Sequence, residues 1–98
     1  MIVKMINNFL IINCIGNNDK LGLRVNKDFF IHILKKKNNN NERIVSEILD
    51  FLGKHNISLD KNFTIIVNLG PGSFSGIRVS LAVAKGIAIS KNTPLYAF

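Results

Sequence analysis

Hydrophobic and polar positions divide the chain into short segments whose period changes along the sequence. Residues 9–15 (FLIINCI) are apolar except for Asn13, a pattern typical of a buried strand. Residues 21–25 and 29–34 predict two further strands, joined by the turn sequence Asn-Lys-Asp at 26–28. Three strands linked by short turns indicate an antiparallel meander.

The period becomes helical after the polar, low-complexity stretch KKKNNNN at residues 35–41. This stretch predicts a solvated loop, with an asparagine near its end as the helix N-cap. Gly53 and the next three residues are expected to close the helix. The apolar residues that share one face of this helix are Ile44, Val45, Ile48, Leu49 and Leu52.

The second half of the chain alternates strands and helices. Residues 63–69 (FTIIVNL) predict a buried strand, and a glycine-rich loop then leads into a long helix from about residue 74 to residue 90. Residues 95–98 begin another strand. The resulting order β-β-β-α-β-α-β predicts an α/β class domain of the ribonuclease-H-like type, with helices packed on a mixed sheet.

Length and hydropathy indicate one domain in residues 1–98. The chain is 47% hydrophobic with a mean hydropathy of +0.22, so some apolar surface is expected to remain for a partner. No run approaches the roughly 20 apolar residues of a membrane span, and no signal peptide is visible, so a cytoplasmic location without membrane attachment is expected. The single cysteine, Cys14, fits a reducing compartment.

A formal net charge of +7 raises the possibility of nucleic-acid binding. Lysine outnumbers arginine ten to three, and isoleucine and asparagine are also abundant, which is typical of a coding bias toward A and T. Arginine, the residue that grips phosphates bidentately, is scarce. Direct binding by this chain alone is therefore disfavoured, and whether Lys35, Lys36 and Lys37 contact nucleic acid stays open at this level.

Residues that would carry catalysis or hold a metal are missing from the expected places. Asn13 interrupts the first strand where a magnesium site would need a carboxylate. His32 and His55 share no ligand spacing, and each is expected to be a satisfied or exposed histidine. We therefore expect no catalytic residue, metal or cofactor. The acidic residues lie in predicted turns, loops or the first helix: Asp19, Asp28, Glu42, Glu47, Asp50 and Asp60.

The glycine-rich loop GPGSFSG at residues 70–76 resembles a phosphate-binding loop in its parts. Gly70 and Gly72 permit unusual backbone angles, Pro71 fixes the turn between them, and Ser73 is placed to cap the helix. The loop lacks the Gly-Lys-Ser/Thr ending of a P-loop and the GxGxxG spacing of dinucleotide sites. As a nucleotide signature it is weak.

The helix after the loop carries two stripes of small residues four apart, which let another helix approach closely. Gly86 within a helix costs up to about 1 kcal/mol relative to alanine, so some contact is expected to offset it. We favour an interface with another protein over packing on this chain's own sheet alone. Arg78 is either solvated or bound to a partner carboxylate, and Phe74 is either core or an interface anchor. The stripes are Ser80, Ala84 and Ala88, and Ala82, Gly86 and Ser90.

The stretch GPGSFSGIRVSLAVAKGIA closely resembles the TsaB (YeaZ) family, which typically reads Gly-Pro-Gly-Ser-Phe-Thr-Gly-Leu-Arg at this loop. Residues 70–74, Gly76 and Arg78 match, and Ser75 replaces threonine. The family's first strand commonly ends in Asp-Thr, whereas this chain has Asn13 and Cys14. That departure weakens the case for nucleotide binding.

The resemblance implies an ASKHA-type fold, of which this chain covers one ribonuclease-H-like half, without the family's second domain. It also implies a non-catalytic subunit for tRNA threonylcarbamoyladenosine synthesis, which docks by helices on its paralogue TsaD, is joined by the ATPase TsaE and meets tRNA only in that complex. The implied loop and docking helix comprise Gly70, Pro71, Gly72, Ser73, Phe74, Gly76, Arg78, Val79, Ala82, Val83 and Gly86. The implied second interface helix contributes Ile44, Val45, Ile48 and Leu49.

Two other functions stay open at this level. One is an ASKHA-type nucleotide-binding enzyme fragment that uses the N–H groups around Gly72 and Ser73. The other is a homodimeric binding module unrelated to tRNA modification. Whether the 98 residues are a natural minimal form or a truncation is also open.

Overall fold

The computed structural model describes residues 8–13, 19–34, 41–70 and 74–98. The side chains of residues 41, 42 and 74–76 are outside this description. The elements follow the predicted order: β1 (Phe9–Asn13), β2 (Lys20–Val25), β3 (Asp28–Ile33), α1 (Asn41–Lys54), β4 (Thr64–Val67), α2 (Phe74–Lys91) and β5 (Leu95–Ala97).

The strands form one five-stranded sheet in the order β3-β2-β1-β4-β5. The first three strands are an antiparallel meander, as predicted, whereas β4 pairs parallel with β1 and with β5. The mixed sheet arises because short connections suffice for antiparallel neighbours, while parallel neighbours need a longer crossover that usually contains a helix. Strand β1 therefore joins the antiparallel half of the sheet to the parallel half.

Both helices pack on the same face of the sheet. Helix α2 lies against β4, β1 and β5, and it contacts α1. Helix α1 reaches the antiparallel half through Phe51, whose ring stacks on His32 of β3. The strand residues that point toward the helices are fully buried: Leu10, Ile12, Leu21, Leu23, Ile65 and Val67.

The opposite face of the sheet is also apolar, and we call it the open face. The register aligns Ile31, Gly22, Ile11, Ile66 and Tyr96 in one row across all five strands. Ile31 and Tyr96, at the two ends of this row, are 62% and 61% exposed. The open face thus presents large hydrophobic side chains to solvent at both edges of the sheet.

Helix α1 ends within the predicted closing segment 53–56: it continues through Lys54, the Ile57 N–H donates to the Leu52 carbonyl at 2.9 Å, and Asn56 is left-handed with φ of 58°. Some strand boundaries differ from the prediction. Strand β4 is shorter than the predicted 63–69, since the Phe63 N–H donates to the Asp60 carbonyl at 3.1 Å in the preceding turn. Asp28 is the first residue of β3 and not part of the turn, where Asn26 has φ of 58°. Asparagine tolerates positive φ, which suits it to both positions.

Candidate functional site

Helices α1 and α2 differ in how their apolar residues are used. Helix α1 points Ile48, Phe51 and Leu52 into the core and places polar residues outward. Helix α2 is apolar around most of its circumference, and only part of that surface is covered by the sheet. Its buried side consists of Ser80, Val83, Ala84 and Ile87.

A groove of about 290 Å³ runs between the two helices on the side away from the sheet. Leu49 of α1 is 44% exposed there and adds to the apolar surface of the groove. Such a concave apolar surface suits an apolar side chain of a partner. The residues that line the groove are Val45, Leu49, Ala82, Val83, Gly86, Ile87, Ser90 and Lys91.

The two small-residue stripes of α2 have different surroundings. Ser80 and Ala84 are fully buried, so the first stripe packs within this chain. Ala82 and Gly86 are exposed, as is the rest of the second stripe at Ser90. A Cβ added at Gly86 would meet no atom within 4 Å. Nothing in the described part of the chain therefore offsets the helical cost of Gly86, and the second stripe faces outward.

The outer rim of α2 is positively charged. Arg78 and Lys85 are both exposed and lie two helical turns apart, with Ala82 between them. Lys91 closes the end of the groove. The residues of α2 include no aspartate or glutamate. Of these three basic residues, only Lys91 lines the groove.

The implied interface residues of α1 fall into two groups. Val45 is half-buried and Leu49 is exposed, and both line the groove. Ile44 and Ile48 are buried in this chain's own core, with 9% and 0% exposure. Contact with a partner on α1 would therefore use Val45 and Leu49 and not the other two.

The implied loop residues are only partly described. Gly70 has φ of 127°, a conformation that favours glycine, and its N–H donates to the Asn68 side-chain oxygen at 3.0 Å. The predictions for Pro71, Gly72 and Ser73 fall outside the described residues, as do those for the side chain of Phe74 and the surroundings of Gly76. Of the other docking-helix residues, Val79 is half-buried and Arg78 is exposed.

The carboxyl ends of the parallel strands β1 and β4 carry amides. Asn13 ends β1, and Asn68 follows β4, its N–H bonded to the Ile12 carbonyl at 3.2 Å. These neighbouring ends are where an α/β sheet places ligands. Amides supply no negative charge for a magnesium ion. Within the described ranges, no group of three or more His, Cys, Asp or Glu residues is placed to hold a metal.

A histidine cluster that the sequence reasoning missed connects β3 to α1. His32 Nε2 lies 2.8 Å from Glu47 Oε2, and their side chains are 32% and 15% exposed. His55 stacks on Phe30 with ring centroids 3.9 Å apart, and it meets Phe51 edge-on at 5.2 Å. His32 therefore has a polar partner, and the ring of His55 packs against two aromatic rings. The available signal was the spacing of four between Glu47, Phe51 and His55 on one helical face.

This cluster positions the groove, because α1 carries one of its walls. Glu47 and Phe51 face β3, and this contact turns Val45 and Leu49 toward α2. The cluster is thus a structural support for the candidate site.

No helix within the described residues combines the length and apolar character required to cross a bilayer.

A family model described as TsaD, tRNA N6-adenosine threonylcarbamoyltransferase, matches residues 35–98, which is more than half of the chain. The tRNA threonylcarbamoyladenosine biosynthesis protein TsaB of Buchnera aphidicola is 41% identical over 58 residues, covering 59% of this chain and 26% of that protein. TsaB of Escherichia coli is 32% identical over 54 residues, covering 55% of this chain and 23% of that protein.

Solved structures agree on the fold. YeaZ from Pseudomonas aeruginosa superposes with a TM-score of 0.80 at 20% identity, covering 94% of this chain and 43% of that chain. RuvC from Thermus thermophilus, solved with a Holliday junction substrate, gives a TM-score of 0.62 at 14% identity, covering 93% of this chain and 63% of that chain. These similarities confirm the predicted ribonuclease-H-like α/β fold.

The chain spans only part of the length of the proteins that it matches. They cover about a quarter of each TsaB protein and less than half of the Pseudomonas YeaZ chain. The matched residues 35–98 include the glycine-rich loop and both helices, α1 and α2, that form the groove. The chain therefore belongs to the family that the TsaD model describes, as a member of its TsaB (YeaZ) group.

Proposed function

We propose that this chain is a non-catalytic subunit in tRNA threonylcarbamoyladenosine synthesis that docks on a TsaD homologue through α1 and α2. The observation that carries the proposal is the apolar groove with Gly86 open at its rim. The curated relatives are named as threonylcarbamoyladenosine biosynthesis proteins, which supports the pathway.

The docking surface is the groove together with the exposed stripe of α2. A partner helix seated there would cover Leu49 and approach the α2 backbone at Ala82 and Gly86, where no large side chain stands in the way. Helices ordinarily pack about 8–10 Å apart, with the distance set by the side chains at the contact. The small residues on α2 allow the two helix axes to approach to the shorter end of that range. The helical cost of Gly86 would then be offset in the complex.

The non-catalytic role is supported by where the ionisable groups lie. Glu47 is bonded to His32 at the β3–α1 contact, and Asp50 is on the exposed surface of α1. The strand ends themselves carry Asn13 and Asn68. In this proposal the TsaD homologue performs the chemistry, a TsaE homologue joins the assembly in the cytoplasm, and tRNA is met only through the complex.

The first experiment measures molar mass by light scattering, for this chain alone and mixed with the TsaD homologue of the same organism. We expect a one-to-one complex that replaces any homodimer. Gly86→Leu should abolish the complex, because its side chain would occupy the space of the partner helix. Lys54→Leu is the matched control: it adds the same side chain on an exposed part of α1 outside the groove, and the complex should survive. Separate elution at micromolar concentration would refute the docking proposal.

Gly86→Ala separates an interface role from a purely structural one. A Cβ there meets no atom within 4 Å, so alanine should stabilise the free chain by about 0.5–1 kcal/mol through helix propensity. The same methyl group should weaken the complex, because it separates the two helices. Urea unfolding and the dissociation constant of the complex are the two measurements. Stabilisation with unchanged affinity would place the partner elsewhere.

A further inference from the structure

Strand β3 ends the sheet at an edge that no other described strand covers. It pairs with β2 on one side, and its open-face side chains Phe29, Ile31 and Ile33 are 51%, 62% and 63% exposed. The strand contains no lysine or proline, the residues that commonly protect a sheet edge from pairing with another chain. The free edge of β3 is thus an apolar strand that is available for pairing.

The hydrogen bonds between β2 and β3 show which backbone groups of β3 face outward. The Leu34 N–H donates to the Asp19 carbonyl at 2.9 Å, which makes these residues a hydrogen-bonded pair at the end of the β2–β3 ladder. Hydrogen-bonded and non-hydrogen-bonded pairs alternate along antiparallel strands. The backbone N–H and C=O groups of Phe29, Ile31 and Ile33 therefore point away from β2, toward the free edge.

This edge is complementary to itself. When two copies pair antiparallel and the pairing is centred on Ile31, each Ile31 lies opposite the Ile31 of the other copy, and Phe29 lies opposite Ile33. This is the one register in which all three outward residues exchange backbone hydrogen bonds with each other. The opposed side chains are all apolar and share one face of the sheet, which is the arrangement that stabilises cross-strand pairs.

We propose that two copies of this chain associate through β3, which joins their sheets into one continuous sheet with both open faces on the same side. The basic residues of the open face are compatible with this arrangement. Arg24 is paired with Phe29, and Lys20 is paired with Ile33. Three strand spacings, about 14 Å, then separate Arg24 from Lys20 of the second copy. That distance exceeds the Debye length of about 8 Å at physiological salt, so these like charges are largely screened from each other.

The size of this interface sets the expected strength of the dimer. One strand of each copy covers less than the roughly 800 Å² per partner of a standard interface, so we expect a dissociation constant of about 0.1–1 mM. The groove is lined by residues of α1 and α2, so pairing at β3 leaves it accessible. The dimer is therefore independent of the proposed docking, and at micromolar concentration the two copies are expected to be separate.

Sedimentation equilibrium of this chain alone, from about 10 μM to about 1 mM, measures the association. We expect Ile31→Lys to raise the dissociation constant roughly ten-fold or more, because the register brings the two Cα atoms at this position to about 5.5 Å and opposes the two introduced charges. Tyr96→Lys is the matched control, since it introduces the same charge at a 61% exposed open-face position on the opposite edge of the sheet. Its dissociation constant should stay within about two-fold of that of the unmodified chain.

A second variant and a second measurement test the backbone pairing itself. Ile31→Pro removes an outward N–H without removing a hydrogen bond to β2, so the fold should survive while the association is lost. Hydrogen exchange followed by NMR should show that the amides of Phe29, Ile31 and Ile33 exchange about two-fold or more slowly at about 1 mM than at about 50 μM. The amides of Phe30 and His32 face β2, and their exchange should not depend on concentration.

The possible outcomes separate edge pairing from other modes of self-association. A monomeric mass over the whole concentration range would overturn the proposal. Equal weakening by Ile31→Lys and Tyr96→Lys would also overturn it, because it would indicate that the open faces stack on each other. Gly86→Leu should leave the self-association unchanged, and its loss in this variant would place the contact at the groove instead of β3. Circular dichroism of each variant verifies that it is folded.

Discussion

The two faces of the sheet use similar residues in opposite ways. Ile65 and Ile66 are consecutive in β4, yet Ile65 is fully buried beneath the helices and Ile66 is only half-buried on the open face. On β3 the side facing α1 holds His32, while Ile31 on the other side is 62% exposed. Hydrophobicity alone therefore does not tell which face carries the core.

The open face has its own local order. Gly22 lies in its central row, and a Cβ there would stand 3.1 Å from Cζ of the Phe29 ring. Phe29 also packs against Phe9, with ring centroids 6.4 Å apart. Lys20 and Arg24 share this face on β2 and are exposed. The comparison predicts that substitutions on the helix-covered face cost much more stability than those on the open face.

The largest expected effect is at Ile65. Ile65→Ala removes a fully buried side chain from a central strand, and we expect a loss of about 2–5 kcal/mol in the free energy of unfolding. Ile66→Ala is the matched control on the same strand, with an expected loss of about 1 kcal/mol. Urea unfolding of both variants measures the difference. Equal losses would contradict the contrast between the faces.

The histidine cluster should contribute less than the core. His32→Ala removes the contact with Glu47 and the stacking on Phe51, for an expected loss of about 1–2 kcal/mol. Hydrogen exchange should show faster opening of α1, because the cluster connects that helix to β3. Ile31→Ala, the neighbour on the open face, should leave exchange in α1 unchanged. Equal exchange in both variants would mean that α1 is held by other contacts.

A smaller effect concerns the coupling of Gly22 and Phe29. Alanine at position 22 should gain strand stability, but the new Cβ must displace the flexible Phe29 ring. In a double-mutant cycle we expect Gly22→Ala to be more favourable by about 0.5–1 kcal/mol when Phe29 is also alanine. Thermal unfolding of the four proteins gives the coupling. Additive effects would show that the ring does not restrict position 22.

The smallest expected effect is at Ile31. Ile31→Lys places a charge at an exposed edge-strand position, and the free energy of unfolding should change by no more than about 0.5 kcal/mol. Thermal unfolding and light scattering measure stability and mass together. A change in mass on substitution would show that the open face is covered by another copy in solution.

The sequence predicted the element order because each element has its own period and its own terminators. The continuous apolar run of β1 and the single apolar face of α1 depend only on the local sequence. The errors were also local: β4 was predicted over residues 63–69 and spans Thr64–Val67, because an apolar run does not show where strand pairing stops.

The candidate site was only partly predictable. The small residues of α2 indicated close approach by something, but the two stripes look alike in sequence. Likewise, Ile44, Val45, Ile48 and Leu49 share a helical face, and only two of them line the groove. The cluster of His32, Glu47 and His55 was missed because its members come from different elements.

The sequence by itself determined the strands, the helices, their order and the family loop, because periodicity and a contiguous motif are local properties of the chain. Tertiary structure alone decided that Ala84 packs inward while Gly86 faces open space, and that one apolar sheet face is covered while the other is exposed. The physical reason is that the exposure of a side chain depends on which elements pack against its own. That packing is set by strand register and helix placement across the whole domain.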